Sequence, residues 1–345
     1  MTVAYWKCGD WMKVKQVGEF GLIDLIKKDT LVRSDNVIVG IGDDAAVLKP
    51  DIRKLQLLTT DMLVEDVHFE LKTISAWRLG YKAMAVNFSD IAAMGGEPRH
   101  AVVSMAVNQD TDTEFIIGIY DGMKAICREY GVNIVGGDTV ASPTGMVINV
   151  AVLGEAAPEH LLLRSGAKVG DLVLVTGTLG NSSGGLDLLS KADWQKQPFA
   201  AKLVNAHLEP KPQVQAALAI AACGASSMDD ISDGLASEAN EIAKASKVGM
   251  KIYAEKIPLL PELHQTAAIT GKKALNYALY GGEDYELLFT ISPERLKQLG
   301  NEAAGVSLTV IGEVVDAGCG VMLMDEYGLG LPLEPKGYNA FRREE

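Results

Sequence analysis

Val37-Ile38-Val39 is a short β-branched run that ends in Gly40-Ile41-Gly42 and then sets two carboxylates, Asp43-Asp44, side by side. The run predicts a buried strand, and the glycines let the main chain bend at its end. Adjacent carboxylates repel each other, so the turn calls for a cation: Arg, Lys or a divalent metal. The pattern recurs. Asp61, Asp90, Asp138, Asp230 with Asp233, and Glu283-Asp284 all read as residues at strand ends or helix starts, in the company of glycine. Taken singly, each is simply explained as a cap or turn residue. Taken together they point to a hard-cation site, because Mg²⁺ takes oxygen ligands and bridges phosphates.

The 345 residues suffice for two domains with sizeable cores. A net charge of -13 excludes a nucleic-acid binder with a basic face, but still allows phosphates to bind where metals or local Arg and Lys reverse the sign. Cys8, Cys127, Cys223 and Cys319 lie far apart without a C-x-x-C pair, which suits free thiols in a reducing cytoplasm. The stretch before Gly18, with Trp6 and Trp11, lacks the apolar core of a signal peptide. It is set aside as a leader (1–17) of no assigned role. No apolar run is long enough to cross a bilayer.

The periodicities predict helices over 18–29, 75–94 and 112–130, with Gly95-Gly96 and Gly131 as stops for the second and third. Strands are predicted over 55–60 (ending at Asp61), 101–107, 132–135 (ending in Gly136-Gly137-Asp138-Thr139) and 146–154. Ala156-Ala157-Pro158 reads as a linker. Beyond it come a strand over 172–176, a helix over 183–191 and a polar stretch with Pro198. Helices over 214–222 and 235–246 follow, then a strand over 287–291 and a last clear strand over 308–311. The class is a two-domain α+β / α/β protein, divided as 18–155 and 156–345.

Two familiar motifs are decoys. Gly40-Ile41-Gly42-Asp43-Asp44-Ala45 fits the dinucleotide pattern G-x-G-x-x-A, but two Asp occupy the pyrophosphate position and Pro50 leaves little room for the required helix. Gly180-Asn181-Ser182-Ser183-Gly184 fits the nucleophile elbow, yet only His207 and His264 follow it, neither in a distinctive setting. A helix start is the better role for these serines. No P-loop exists, so ATP, if used, is held differently.

The ordered set Gly18-Glu19-Phe20-Gly21, Gly40-Ile41-Gly42-Asp43-Asp44-Ala45, Thr59-Thr60-Asp61, Asn87-Phe88-Ser89-Asp90, Gly136-Gly137-Asp138-Thr139, Arg164-Ser165-Gly166, Asp230-Ile231-Ser232-Asp233-Gly234, Gly281-Gly282-Glu283-Asp284 and Lys336-Gly337-Tyr338 resembles the thiamine-monophosphate kinase family. That family belongs to the aminoimidazole-ribonucleotide synthetase and selenophosphate synthetase superfamily. The resemblance implies phosphorylation of thiamine monophosphate by ATP with several Mg²⁺ ions. It also implies a cytoplasmic homodimer whose N-terminal domains form a β-barrel across the interface, each flanked by a C-terminal α/β sandwich domain. It further implies Asp44, Thr59, Thr60, Asp61, Asp90, Asp138, Asp230 and Asp233 as metal ligands, with Asp44, Asp61 and Asp90 the most critical and no general base. Tyr120, Gly137, Arg164 and Ser232 are implied as ATP contacts, and His68, Glu283 and Tyr338 as thiamine contacts. Two departures stand out: Asp66 where members usually have Gly, and Gln213 where an Arg often follows the Pro-x-Pro turn. The alternatives are another ATP-using member of the superfamily, and a non-catalytic nucleotide or metal sensor.

Overall fold

The computed structural model describes residues 12–42, 44–191 and 193–337. Asp43, Cys8, the leader tryptophans Trp6 and Trp11, and Tyr338 therefore lie outside the described residues. The fold is mixed α/β in two compact units. The first comprises Met1–Asp51, Leu58–Asn87 and Arg99–Leu153, and the second Ile52–Leu57, Phe88–Pro98 and Gly154–Glu345.

Chain order begins with α1 (Val14–Ile26), β1 (Val37–Val39), β2 (Val47–Leu48), β3 (Leu55–Val64) and α2 (Ala76–Ala93). It continues with β4 (Glu97–Val107), α3 (Thr113–Tyr130), β5 (Asn133–Ala141) and β6 (Val147–Ala156). Helix α1 is broken at Gly18, whose φ of 70° is non-helical, and it ends at Ile26 rather than reaching residue 29. Strands β1 and β2 pair antiparallel, so the opening Gly-Asp turn sits in a small ribbon. The other four strands form a sheet ordered β3-β6-β4-β5, with β4 and β5 parallel. This sheet is open, with β3 and β5 as its edges.

One face of the sheet is apolar core: Val103, Met105 and Val107 of β4, and Ile148, Val150 and Val152 of β6, are buried. Helices α2 and α3 approach each other through glycine. A Cβ at Gly80 would overlap the Ile119 carbonyl, and one at Gly122 the Trp77 carbonyl. Their amphipathic inner faces, Leu79 and Met84 against Ile116, Ile119 and Met123, can close only at that separation.

Beyond residue 156 come β7 (Leu172–Thr176), α4 (Asn181–Leu189), α5 (Ala200–Leu208), α6 (Val214–Cys223), β8 (Ser227–Asp230), α7 (Leu235–Ser246) and β9 (Gly249–Tyr253). They are followed by α8 (Pro261–Thr270), α9 (Ala274–Tyr280), β10 (Leu287–Ile291), α10 (Pro293–Leu299), β11 (Glu302–Ala303), β12 (Val306–Val315), β13 (Val321–Met324) and β14 (Gly330–Pro332). The sheet order is β14-β13-β9-β12-β7-β10-β8, with β11 added to β12. All five residues of β10 are buried, so both faces of the sheet are covered there. One of these cores joins Val173, Val175 and Leu288 to Leu235, Ala239 and Ile242 of α7 and Ala278 of α9.

Three expectations are corrected. Helix α5 occupies part of the stretch read as polar, because Ala200, Leu203, Val204 and Leu208 form a buried face that starts after Pro198. Strand β12 runs on to Val315, and β13 and β14 follow it. Strands β3 and β5 do not stop at Asp61 and Asp138 but run through them. Asp138 is exposed, and Asp61 is half-buried on the side of Leu57 and Leu63, so a carboxylate need not end a strand on either face. No helix among the described residues is long and apolar enough to cross a membrane.

The glycine crossing makes a direct prediction. Gly122→Ala overpacks α2 against α3 and costs about 1–3 kcal/mol, read as a lower midpoint in urea unfolding. An unchanged midpoint would show that the two helices separate freely.

Candidate active site

The second unit gathers carboxylates around one guanidinium. Strand β8 ends in Asp229-Asp230, and Ser232-Asp233-Gly234 leads directly into α7. Arg164 donates through Nε to Asp229 Oδ2 at 2.7 Å, and Ser89 Oγ donates to Asp230 Oδ2 at 2.6 Å. Glu238 Oε1 accepts from the Asp233 amide at 2.9 Å. Burial pushes Asp229 up to about 6, opposed by Arg164. Burial together with the charges of Asp90 and Asp229 lifts Asp230 well above the usual carboxylate range, with the Ser89 hydroxyl acting the other way. Burial raises Asp233, and it drives Glu238 up to about 8 with help from Asp229. These oxygens are short of positive charge, which is the setting in which a hard divalent cation binds. Among the described residues, no three His, Cys, Asp or Glu side chains are arranged to hold an ion by themselves.

A second loop lies against the first through backbone. The amides of Ile231, Glu283 and Tyr285 bond to the carbonyls of Glu286, Ser232 and Ile231 at 2.7, 2.7 and 2.9 Å. Chains this close leave no room for side chains. A Cβ at Gly281 would overlap Ser183 Oγ, and one at Gly282 would lie 2.5 Å from the Ser232 carbonyl oxygen. Glu283 and Tyr285 adopt φ of 66° and 52°, the left-handed region that non-glycine residues avoid.

The adjacent acids of this loop do different things. Asp284 accepts from the amides of Gly180 and Ser182 at 2.6 and 3.1 Å, so it caps the N-terminus of α4. Burial nevertheless pushes it up to about 7. Thus the glycine-serine motif at 180–184 is a capped helix start, as its residue types imply. Glu286 is half-buried, accepts from the Thr176 hydroxyl at 2.5 Å, and desolvation raises it to about 8. Glu283 Oε2 instead lies 3.2 Å from His207 Nδ1. Sequence reasoning weighed His207 only as a hydrolase base and set it aside: it is buried on α5, and its Nδ1 is 3.0 Å from Ser182 Oγ. The only signal was its place on the inward face of an amphipathic helix that had gone unpredicted.

In the first unit, Asp44 is exposed and Thr59, Thr60 and Asp61 follow one another on β3. The Asp61 amide donates to Asn87 Oδ1 at 3.0 Å, and Asn149 Nδ2 bonds to both Thr60 Oγ1 and the Asp61 carbonyl. Asp138 is exposed on β5 beside Gly137, where a Cβ would overlap the Val103 carbonyl. His68 Nδ1 accepts from the Val64 amide at 3.1 Å, which puts the ring proton on Nε2 in the neutral form. Tyr120 is buried in α3, and desolvation pushes its phenol well up. A pocket of about 500 Å³ in the same unit is lined by Glu65, Asp66, Asp110, Asp112, Phe115 and others.

Comparison with known proteins identifies the class. The AIR synthase related N-terminal domain matches residues 42–156 and the corresponding C-terminal domain residues 168–324. Thiamine-monophosphate kinase of Aquifex aeolicus (strain VF5) is 39% identical over 330 residues, 96% of this chain and 100% of that protein. That of Bacillus subtilis (strain 168) is 39% identical over 331 residues, covering 94% and 99%. The solved structure of AaThiL complexed with AMPPCP and TMP has a TM-score of 0.75 at 38% identity, covering 96% of this chain and 99% of that one. The chain belongs to the thiamine-monophosphate kinase family of AIR synthase related proteins.

The loop at Asp66 is explained by its backbone. Asp66 has φ 62°, and its amide bonds to the Phe69 carbonyl at 2.8 Å. The turn is therefore one that glycine makes without strain, and Asp tolerates it better than most residues. Asp66→Gly should leave the unfolding midpoint nearly unchanged, whereas Asp66→Val should cost about 1–2 kcal/mol. Equal midpoints for the two variants would show that the turn relaxes.

Proposed function

We infer that the chain transfers the γ-phosphoryl group of ATP to the phosphate of thiamine monophosphate, giving thiamine diphosphate and ADP in the cytoplasm. The observation that carries this reading is near full-length identity with thiamine-monophosphate kinases, joined to a second unit whose carboxylates surround one Arg. The acceptor is a phosphate monoester with a second pKa near 6, so it is mostly dianionic at neutral pH and needs no general base. The task left to the protein is to bring two anionic phosphates into line.

The charge-deficient oxygens fit Mg²⁺. Asp90, Asp230 and Asp233 are the ligands we assign in the second unit, and Asp44, Thr59, Thr60, Asp61 and Asp138 those in the first. When bound, the metal supplies positive charge to bridging phosphate oxygens. The protein's own groups do the rest. Arg164 spends Nε on Asp229 and has a side chain 52% exposed, so its remaining N–H groups suit a phosphate. Gly137 and Ser232 offer backbone close to a nucleotide, and Tyr120 joins them as an ATP contact in this reading. His68, Glu283 and Tyr338 are the thiamine contacts, with the Glu283 carboxylate facing the cationic thiazolium.

The open sheet supports a homodimer. Leu58 and Met62 of β3, Val102 of β4 and Val140 of β5 are 77%, 52%, 39% and 50% exposed, an apolar face that a second copy would cover. Joining two such sheets would supply the barrel across the interface.

Purified protein given ATP, Mg²⁺ and thiamine monophosphate should form thiamine diphosphate, followed by chromatography. Asp44→Asn should lower kcat/KM about 100-fold or more while the melting temperature holds. ATP binding without product would favour the nucleotide-sensor alternative, and unfolding of Asp44→Asn would make that residue structural. For the dimer, Met62→Asp should shift the sedimentation coefficient to that of a monomer, and an unchanged value would remove this face as the interface.

A further inference from the structure

We propose that His207 is a positioning residue for the acceptor: it orients the Glu283 carboxylate, and Ser182 in turn fixes the imidazole. The proposal rests on the reading of Glu283 as the partner of the thiazolium.

The geometry is specific. His207 is 6% exposed and lies near the end of α5, whose inward face also carries Leu203 and Val204. Its Nδ1 meets Glu283 Oε2 at 3.2 Å and Ser182 Oγ at 3.0 Å. A carboxylate only accepts, so the contact is favourable when Nδ1 carries a proton. Ser182 is 1% exposed, and its amide is already held by Asp284 at 3.1 Å. The serine is therefore a fixed reference point for the ring. Serine, histidine and glutamate together evoke a hydrolase triad, but both contacts fall on the same ring nitrogen. A triad needs the serine on one nitrogen and the acid on the other, so that the base can take the serine proton while the acid steadies it. This arrangement cannot do that, and a buried serine could not reach a substrate. What it can do is hold a side chain still.

Glu283 gains from being held. Its side chain is 25% exposed, and its backbone sits at φ 66° because its amide is bound to the Ser232 carbonyl at 2.7 Å. Strain of this kind persists where the surrounding structure over-determines a conformation, commonly at ligand sites. A free Glu would lose rotamer entropy on meeting a cation, and prior ordering by His207 removes that loss from acceptor binding. The expected signature is in KM for the acceptor, since ATP has no part in the contact.

The test is steady-state kinetics of the full chain with each substrate varied, for His207→Phe, His207→Asn, Glu283→Gln and the double variant His207→Phe/Glu283→Gln. His207→Phe should raise KM for thiamine monophosphate about ten-fold, with kcat and KM for ATP changed less than about two-fold. His207→Asn keeps a donor near the Nδ1 position and should recover most of the loss. The double variant should be no worse than Glu283→Gln alone, because the two residues act as one unit. Equal losses for both substrates, additive losses in the double variant, or a His207→Phe enzyme like the parent would each overturn the proposal. If His207→Phe does not fold, the Ser182→Ala enzyme decides by the same split in KM. If Glu283→Gln itself leaves KM for the acceptor unchanged, the thiazolium reading of Glu283 has failed and takes the proposal with it. A raised KM in Glu283→Gln beside a normal one in His207→Phe removes the His207 role alone.

Discussion

The arrangement of the second unit depends on two loops meeting backbone to backbone. Three amide–carbonyl hydrogen bonds tie residues 231–232 to residues 283–286, and glycines at 281 and 282 make the approach possible. Buried main-chain groups need partners, so each loop satisfies the other where regular strand pairing has ended. The result sets the Ser232 carbonyl against the Glu283 amide. Gly234 belongs to the same constraint, with φ 107° and a would-be Cβ 2.9 Å from the carbonyl oxygens of Leu279 and Gly281. Both glycine-acid motifs thus have a steric cause before they have a chemical one.

Electrostatics then divides the acids by partner. Asp284 is committed to backbone amides at the start of α4, and Glu286 to Thr176. Their burial is answered by hydrogen bonds or by a retained proton, since a buried carboxylate without a cation prefers its neutral form. Asp229 has Arg164. Asp230 has a serine hydroxyl and the repulsion of three other carboxylates, Asp90, Asp229 and Glu238. Of the buried acids in this unit it is the one whose surroundings most favour an added cation. Glu283 stands apart again, partly exposed and in contact with an imidazole.

Much of this was legible in the sequence, for identifiable reasons. Strands β7 and β10 are covered on both faces or nearly so, and they read as continuous apolar runs. Helix α7 was bounded by Gly234 and by its strong apolar stripe. The half-covered sheet was harder. Polar residues at Thr60, Asp61 and Asp138 look like strand ends until the pairing partners are known, because the sheet admits them on its exposed face, as at Thr60 and Asp138, and also on the side of Leu57 and Leu63, as at Asp61. The acids read alike in the sequence, because one sequence cannot sort caps from ligands. Asp284 and Glu283 are neighbours with opposite employment, decided by which way a left-handed backbone turns them. His207 was set aside because a lone histidine on an apolar stripe gives no sign of what lies across from it.

Gln213 shows how a local departure is absorbed. It stands where the resemblance leads one to expect Arg, which removes one positive charge. Its Nε2 donates to the Lys211 carbonyl at 3.3 Å, and its contact with Glu286 opposes the upward push that desolvation gives that carboxyl. An Arg there would oppose it more strongly but would form a desolvated ion pair, whose attraction is largely offset by the desolvation of both charges.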